Sequence, residues 1–267
     1  WREKLERVWN EKITRMRYNY NWSFDKYDRP LVNFYIEKIH KRSDYRWIHP
    51  VHEVLDYIGD KEEIFGTTDD FTLNHYPDSN KSRSSYLPLL ELSVKENPTN
   101  DRNMHYLGRE YMYYGKWNEC IDTLIKHLNL ESATWKDERA ASMRFIARSY
   151  KALGRFDEAR MWLDKAIVEA PYLRDAYVER AILEYQLGDW DKVDSFCNRA
   201  LKIKTHTKSY INEVFSFDHT VYDLLSISKF YQDDMELALF YSDKALEISP
   251  NDERLKDNNK LIREKLK

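Results

Sequence analysis

Glycine and proline are scarce in this chain of 267 residues, which contains 6 glycines and 7 prolines. Each one is therefore informative about where a regular element ends. The sequence has no apolar run approaching the roughly 20 residues that cross a bilayer, so no transmembrane segment is predicted. It also lacks a phosphate-binding glycine loop, a Cys-x-x-Cys pair and a Gly-x-Ser-x-Gly motif, and the enzyme classes that depend on them are not predicted.

An excess of charge of one sign is missing as well. Charged residues make up 33% of the chain, yet they nearly cancel to a formal net charge of −3. A protein that binds nucleic acid or an anionic membrane through its overall charge needs a clear excess of cations. Nucleic acid is therefore not an expected partner. The composition still allows a sizeable core, because 42% of the residues are hydrophobic.

Cysteine is nearly absent, since Cys120 and Cys197 are the only two. Both lie inside helical patterns, so we expect buried, reduced thiols and a cytoplasmic protein. The chain opens with the charged, amphipathic segment WREKLERVW, which does not resemble a signal peptide, and its first residue is not methionine. We therefore expect the natural protein to have a further N-terminal part.

The C-terminal two thirds of the sequence repeats itself. The matched pairs, which lie 34 residues apart, include Ala147 with Ala181, Gly154 with Gly188, and Phe156 with Trp190. Small residues at such positions let two antiparallel helices approach closely, and large ones fill the space between neighbouring hairpins. One hairpin cannot bury its apolar face alone, so several must stack.

This pattern resembles the tetratricopeptide repeat (TPR), whose period is 34 residues. We predict a mostly α-helical fold in which residues 79–267 form a TPR α-solenoid. The array begins with a half-repeat, continues through about four repeats and ends in a capping helix at residues 251–267. About eleven extra residues, near 205–217, precede the fourth repeat. The alternative is an irregular helical bundle.

The first 78 residues follow a different pattern. Apolar residues on one helical face predict a short amphipathic helix over 1–12. Aromatic and polar residues alternate through residues 18–24, and β-branched and aromatic residues are frequent in 31–39 and 71–73, so three strands are predicted. Three strands and a helix do not make an ordinary independent sheet domain. We interpret this segment as the second half of an α/β domain.

A set of short motifs runs through the same segment. The motifs are EKIHKR at 37–42, YRW at 45–47, PVHEVL at 50–55 and LNHY at 73–76. Their order resembles the second catalytic half of family 2 glycosyltransferases with the GT-A fold, especially bacterial members that carry a TPR extension. The resemblance covers essentially the whole chain and implies a fragment of an inverting enzyme that uses a nucleotide-sugar donor.

The resemblance also assigns roles to four residues. Glu53 would be the catalytic base, placed in the first turn of a helix whose N-terminus favours its ionised form. His52 would contact the diphosphate, the metal or the acceptor, whereas Trp47 and His75 would bind substrate. The alternatives are a helix-capping role for Glu53, core packing for His52 and Trp47, and junction packing for His75.

Family 2 enzymes need a divalent metal, Mn²⁺ or Mg²⁺, which an Asp-x-Asp motif binds. The only Asp-x-Asp in this sequence is Asp189-Trp190-Asp191, which falls in a turn of the repeat array. The resemblance therefore implies that most ligands of the catalytic metal lie outside this chain, and that the fragment alone is inactive. His49 and His52 do not have zinc-protease spacing, and Pro50 interrupts any helix there.

The TPR pattern also predicts which residues face the concave groove of the superhelix. The cations at these positions are Arg102, Arg109, Arg144, Arg148 and Lys151, and the other groove positions include His105 and Ile182. Guanidinium groups suit carboxylates and phosphates, so the basic end of the groove is predicted to hold a polypeptide or glycan acceptor or a protein partner. The alternative is that these arginines pair with acids on adjacent helices.

Two functional hypotheses follow from the sequence. In the first, the chain is part of a glycosyltransferase whose TPR groove holds the acceptor. In the second, it is a non-catalytic TPR adaptor for protein–protein interaction, and residues 1–78 form an unrelated capping domain.

Overall fold

The structure is a computed structural model that describes residues 2–25, 28–78, 82, 84–207 and 209–266. Trp1 of the predicted opening helix and Ser79 at the predicted domain boundary lie outside these residues. The chain forms two compact units, one of residues 1–98 with 208–210 and the other of residues 99–207 with 211–267.

A three-stranded mixed sheet forms the centre of the first unit. Strand β1 spans Arg15–Phe24, β2 spans Pro30–His40 and β5 spans Phe65–Asn74. Their order is β2-β1-β5, with β1 antiparallel to β2 and parallel to β5. Burial alternates along the first half of β1, where Met16, Tyr18 and Tyr20 face inward. The alternation in the sequence therefore predicted β1 correctly, and the other two predicted strands are also present.

A separate two-stranded hairpin lies between β2 and β5 in the sequence. Strand β3, Tyr45–Ile48, pairs antiparallel with β4, Val54–Tyr57. Arg15 on β1 ties the hairpin to the sheet, because its guanidinium donates to the carbonyl of Leu55 at 2.9 Å and contacts Glu63 at 2.8 Å. This arginine is buried, so its charge is compensated within the unit.

Two helices belong to the first unit. Helix α1 spans Arg2–Val8 and is shorter than the predicted helix over residues 1–12. Helix α2 spans Tyr86–Glu96 and buries Leu87, Leu90 and Ser93 on one face. The predicted half-repeat is thus a helix, but it is grouped with the first unit because the division falls after Pro98.

The second unit is a succession of antiparallel helix pairs. The helices are α3 (Asp101–Tyr113), α4 (Trp117–Leu128), α5 (Lys136–Ala152), α6 (Phe156–Glu169), α7 (Asp175–Leu187), α8 (Trp190–Lys202), α9 (Thr220–Tyr231), α10 (Met235–Ile248) and α11 (Glu253–Lys265). Each odd-numbered helix from α3 to α9 packs on the even-numbered helix that follows it. These four hairpins are the four predicted repeats, and α11 is the predicted capping helix.

The small residues of the pattern explain how closely the helices of a pair approach. A Cβ atom added to Gly108 on α3 would lie 2.3 Å from a side-chain carbon of Leu124 on α4, which is too close for any larger residue. The turns between paired helices need a left-handed residue, with φ of 74° at Gly154. In the fourth repeat Asp233 takes the same conformation, with φ of 64°.

The core of the second unit runs through the interfaces between hairpins. Ala181 on α7 and Ala200 on α8 are fully buried, as are both cysteines, which are free thiols. Burial raises the pKa of Cys120 to about 11, so this thiol is protonated at neutral pH. The predicted insertion before the fourth repeat is a loop that contains one 3₁₀ turn, Val214–Ser216.

Candidate binding groove

The residues predicted to be catalytic lie in a hairpin loop. The loop connects β3 to β4 and runs from His49 to Glu53, since Ile48 and Val54 form the last strand pair. The prediction that Glu53 starts a helix is therefore wrong. His49 and His52 have φ values of 72° and 54°, which a right-handed helix does not permit. Glu53 is exposed and receives no stabilisation from a helix N-terminus.

The two residues predicted to bind substrate occupy different places in the first unit. Trp47 lies opposite Leu55 in the β3–β4 hairpin, is 50% exposed, and has the Lys38 ammonium 5.4 Å from its ring centre. His75 follows β5 and stacks on Trp22 with 4.5 Å between ring centres. Trp47, His52 and Glu53 thus belong to the same hairpin, whereas His75 is packed against β1.

Two of the predicted groove arginines, Arg144 and Arg148, form ion pairs with acidic residues inside the second unit. Arg144 is 2% exposed and donates to Glu179 at 2.7 Å, to Glu213 at 3.2 Å and to the carbonyl of Ile211 at 2.8 Å. Arg148, one turn later on α5, donates to Glu179 at 3.0 and 2.7 Å and to Glu213 at 2.5 Å. The prediction of a free basic groove is therefore wrong here, and the stated alternative of pairing with nearby acids is correct.

The electrostatics of this cluster are strongly coupled. Burial by itself would lower the pKa of Arg144, but the carboxylates of Glu179, Asp175 and Glu213 raise it above its ordinary value. Burial would raise the pKa of Glu179, yet Arg148 and Arg144 hold it below its usual range. Arg144 and Glu179 are consequently both ionised at neutral pH, and each stabilises the charge of the other.

The remaining predicted arginines lie on α3. The Arg102 guanidinium carbon lies 5.0 Å from the ring centre of Tyr106, and that of Arg109 lies 4.5 Å from the same ring. Both charges therefore lie against an aromatic face. His105, which the repeat pattern also directs into the groove, is instead completely buried. The groove position of His105 is thus covered by packing.

The later groove positions meet in one cavity of about 180 Å³. Arg148 and Lys151 on α5 line it together with Ile182 on α7, and all three were predicted to face the groove. The sequence did not single out the other polar or aromatic walls, Glu179 and Phe215. Phe215 belongs to the inserted loop, and a repeat pattern carries no signal for a residue outside the repeat.

Lys151 is the one predicted groove cation that lines this cavity without a carboxylate partner among the residues that the structure describes. It is partly exposed, whereas its neighbour Arg148 is held by Glu179 and Glu213. Apolar carbon from Leu163, Ile182 and Leu183 forms the rest of the wall. The cavity therefore offers an apolar surface with a single ammonium group available to a ligand.

Comparison with known proteins agrees with the helical pattern. Residues 145–171 match the sequence model of the tetratricopeptide repeat. The second hairpin therefore contains a TPR. No curated protein matches the sequence. No helix among the described residues is long and apolar enough to cross a membrane.

The solved structures similar to this chain include TPR proteins. The thermophilic TPR protein TTC0263 of Thermus thermophilus is 20% identical, with 67% of this chain and 89% of that chain covered and a TM-score of 0.48. MamA is 21% identical, with coverages of 66% and 97% and a TM-score of 0.51. BtubC from P. vanneervenii is 14% identical, with coverages of 68% and 80% and a TM-score of 0.53. These likenesses concern the fold, and they lend no support to the glycosyltransferase resemblance.

Proposed function

We propose that the chain is an interaction module whose TPR unit binds a polypeptide partner in the cavity between α5 and α7. The observation that carries this proposal is the convergence of Arg148, Lys151 and Ile182, three predicted groove positions, on one cavity. At about 180 Å³ it is smaller than the ~300–1,000 Å³ of a typical drug-sized ligand site. It suits a single anchoring side chain of a larger partner.

The lining indicates the chemistry of that partner. Ile182, Leu183 and Phe215 form an apolar wall that an aliphatic or aromatic side chain would fill. Lys151 supplies a positive charge at the same cavity, whereas Glu179 is already neutralised by Arg144 and Arg148. We therefore expect a partner segment with an apolar anchor next to an acidic group.

A display selection from a random peptide library tests this proposal. We expect selected peptides to share an aliphatic or aromatic residue adjacent to Asp or Glu. Ile182→Glu places a like charge against that acidic group and reduces the apolar wall, so it should weaken binding by at least ~30-fold, on the scale of a hot-spot contact. Lys151→Ala should weaken it less, by roughly 3- to 10-fold.

Val168→Glu on α6 is the matched control, because Val168 is 80% exposed and does not line the cavity. Val168→Glu adds the same charge outside the cavity. The affinity for the selected peptide should therefore stay within about 2-fold of that of the unsubstituted chain. Enriched peptides without an apolar and acidic pair, or equal losses in Ile182→Glu and Val168→Glu, would contradict the proposed groove.

The glycosyltransferase hypothesis remains a second proposal for the longer protein. It is supported by the motif order from residue 37 to residue 76 and by a mixed sheet in which β1 runs parallel to β5. In that proposal Glu53 acts as the base, Mn²⁺ or Mg²⁺ binds largely outside this chain, and the groove holds the acceptor. The exposed loop position of Glu53 does not favour it.

Titration of the chain with a nucleoside diphosphate and Mn²⁺ tests whether the first unit by itself holds a nucleotide-sugar site. We expect no binding tighter than millimolar, because no cluster of carboxylates suited to the metal accompanies Glu53 or His52 among the residues that the structure describes. Isothermal titration calorimetry measures this directly. Micromolar binding that Trp47→Ala weakens would instead favour a nucleotide-sugar site in the first unit.

A further inference from the structure

Three metal-ligating side chains meet inside the second unit, away from the groove cavity. His105 on α3, His127 on α4 and Glu138 on α5 each offer one ligand atom, and these atoms all lie within 4.8 Å of one another. The two histidines are fully buried and Glu138 is 4% exposed. Because each side chain comes from a different helix, a group held here would join the first hairpin to the second.

One hydroxyl orients both imidazole rings. Ser142, one turn after Glu138 on α5, has its Oγ 2.7 Å from Nδ1 of His105 and 3.0 Å from Nδ1 of His127. Both Nδ1 atoms are therefore engaged by the same oxygen, and both Nε2 atoms are left to face elsewhere. Neither Nε2 makes a hydrogen bond within the described part of the chain, although both are buried. A buried polar atom without a hydrogen bond is costly.

The Ser142 contact fixes which nitrogen of each ring can bind a metal ion. A neutral imidazole carries an N–H on one ring nitrogen and a lone pair on the other. A serine oxygen has two lone pairs, so it can accept an N–H from both Nδ1 atoms. That arrangement leaves a lone pair on each Nε2.

The resulting donor set is two imidazole nitrogens and a carboxylate. His127 Nε2 and Glu138 Oε1 are already 3.5 Å apart, close to the ~3.4 Å between ligands of a tetrahedral zinc ion with bonds of ~2.0–2.1 Å. His105 offers a ring nitrogen within 4.8 Å of the ligand atoms of His127 and Glu138, so a shift of at most ~1.5 Å would bring that nitrogen to ligand spacing. Ser142 would hold the rings in orientation, as the outer partners of zinc-binding histidines do.

The charges of two nearby arginines oppose a cation and limit the expected affinity for zinc. Arg102 and Arg109 lie near enough to influence His105, and their charges repel any metal ion. In the metal-free alternative, His127 is simply an ion-pair partner of Glu138 at 3.5 Å. That alternative leaves His105 Nε2 without a hydrogen bond among the described residues, whereas a metal ion engages both rings.

We propose that His105, His127 and Glu138 bind one Zn²⁺ ion that ties α3 and α4 to α5, with a water molecule as the fourth ligand. Its role is structural, because the site is enclosed by three helices and offers no exposed ligand. The ion would enter as the hairpins pack. This proposal is independent of the groove and of the catalytic metal that the glycosyltransferase resemblance implies.

The test uses the untagged chain, refolded from denaturant after chelator treatment, with and without ZnCl₂. We expect one zinc per chain, with a Kd in the micromolar range or below by competition with a chromophoric chelator. The melting temperature should rise by roughly 5–10 °C at free zinc about 100 times the Kd. Co²⁺ in place of zinc should give the visible absorption of a tetrahedral nitrogen and oxygen site.

Four variants decide whether these residues hold the metal. Glu138→Gln keeps the shape and should weaken zinc binding at least ~100-fold, as should His127→Gln, while Ser142→Ala should weaken it by ~10- to 100-fold. The control is His219→Gln, since His219 contacts Ser249 outside this cluster, and it should retain full affinity.

If His127→Gln fails to fold, Glu138→Gln and Ser142→Ala decide the matter, because both leave the two rings in place. Absence of stoichiometric zinc in the refolded chain overturns the proposal. So does zinc binding that stays within 3-fold in Glu138→Gln, or a loss of the same size in the His219→Gln control.

Discussion

Replacement of Glu179 by alanine is expected to lower the free energy of unfolding by about 3–5 kcal/mol, the cost of breaking a buried ion pair by removing one partner. Glu179 receives hydrogen bonds from both Arg144 and Arg148, and Arg144 is 2% exposed. Without this carboxylate, Arg144 would remain buried and keep only Glu213 within ion-pair distance among the described residues. Urea denaturation followed by circular dichroism measures the change.

The matched control is Glu158→Ala. Glu158 also pairs with an arginine, Arg155, but both side chains are substantially exposed. The change in the free energy of unfolding should be much smaller than for Glu179→Ala, since exposed ion pairs contribute little. If Glu179→Ala and Glu158→Ala lowered the free energy of unfolding equally, burial would not determine how much the Arg144 cluster contributes to stability.

The same cluster predicts how stability depends on pH. The arginines hold the pKa of Glu179 below its usual range, so its folded pKa lies below the unfolded value of about 4.3. Its contribution is present above the unfolded pKa and is lost as the pH falls through that value toward the folded one. Glu179→Gln should flatten the decline in stability below about pH 5.

Leu163→Ala is expected to cost about 2–5 kcal/mol, the range for truncating a buried leucine. Leu163 on α6 is 3% exposed and packs in a cluster with Ala147, Ala159 and Leu183. Leu183 belongs to α7, so the cavity would open between the second and third hairpins. In a linear array of repeats, the loss of stability should spread from α6 to the neighbouring helices α5 and α7.

Hydrogen exchange measured along the chain would detect that spread as faster exchange in α5 and α7 together. Met161→Ala is the control on the same helix, because Met161 is 45% exposed, and it should change stability by less than about 0.5 kcal/mol. A melting temperature unchanged by Leu163→Ala would contradict the packing of the repeats.

The helical repeats could be predicted from the sequence because their packing constraints act at fixed spacing. Gly108 against Leu124 and the left-handed Gly154 are requirements of the hairpin itself, and they recur with each repeat. Aspartate can also adopt the left-handed conformation, which is why Asp233 serves in the fourth repeat without the glycine signal.

The β3–β4 hairpin was missed for a local reason. Its turn depends on left-handed histidines at His49 and His52, a conformation that sequence patterns assign to glycine or asparagine. The glycosyltransferase resemblance implied a helix that starts near Glu53, and Pro50 suited the first position of such a helix. The prediction for Glu53 failed with it, because the proposed role of that residue required a helix N-terminus.

Three predicted groove positions, Arg148, Lys151 and Ile182, line one cavity, but the charge of the groove differs from the prediction. A repeat pattern places Arg144 and Arg148 on the concave side, yet it does not say what lies opposite them. Glu213, which neutralises them, lies in the insertion and is separated from Arg144 by 69 residues. Only the folded chain brings these side chains together, so the free basic surface became a buried, balanced cluster.

The most direct test of the proposed interaction is hydrogen–deuterium exchange with and without a selected peptide at saturating concentration. The groove predicts slower exchange in the C-terminal half of α5, around Arg148 and Lys151, and in α7 around Ile182, with little change in the strands of the first unit. Protection confined to β1–β5, or none in α5 and α7 despite measured binding, would contradict it.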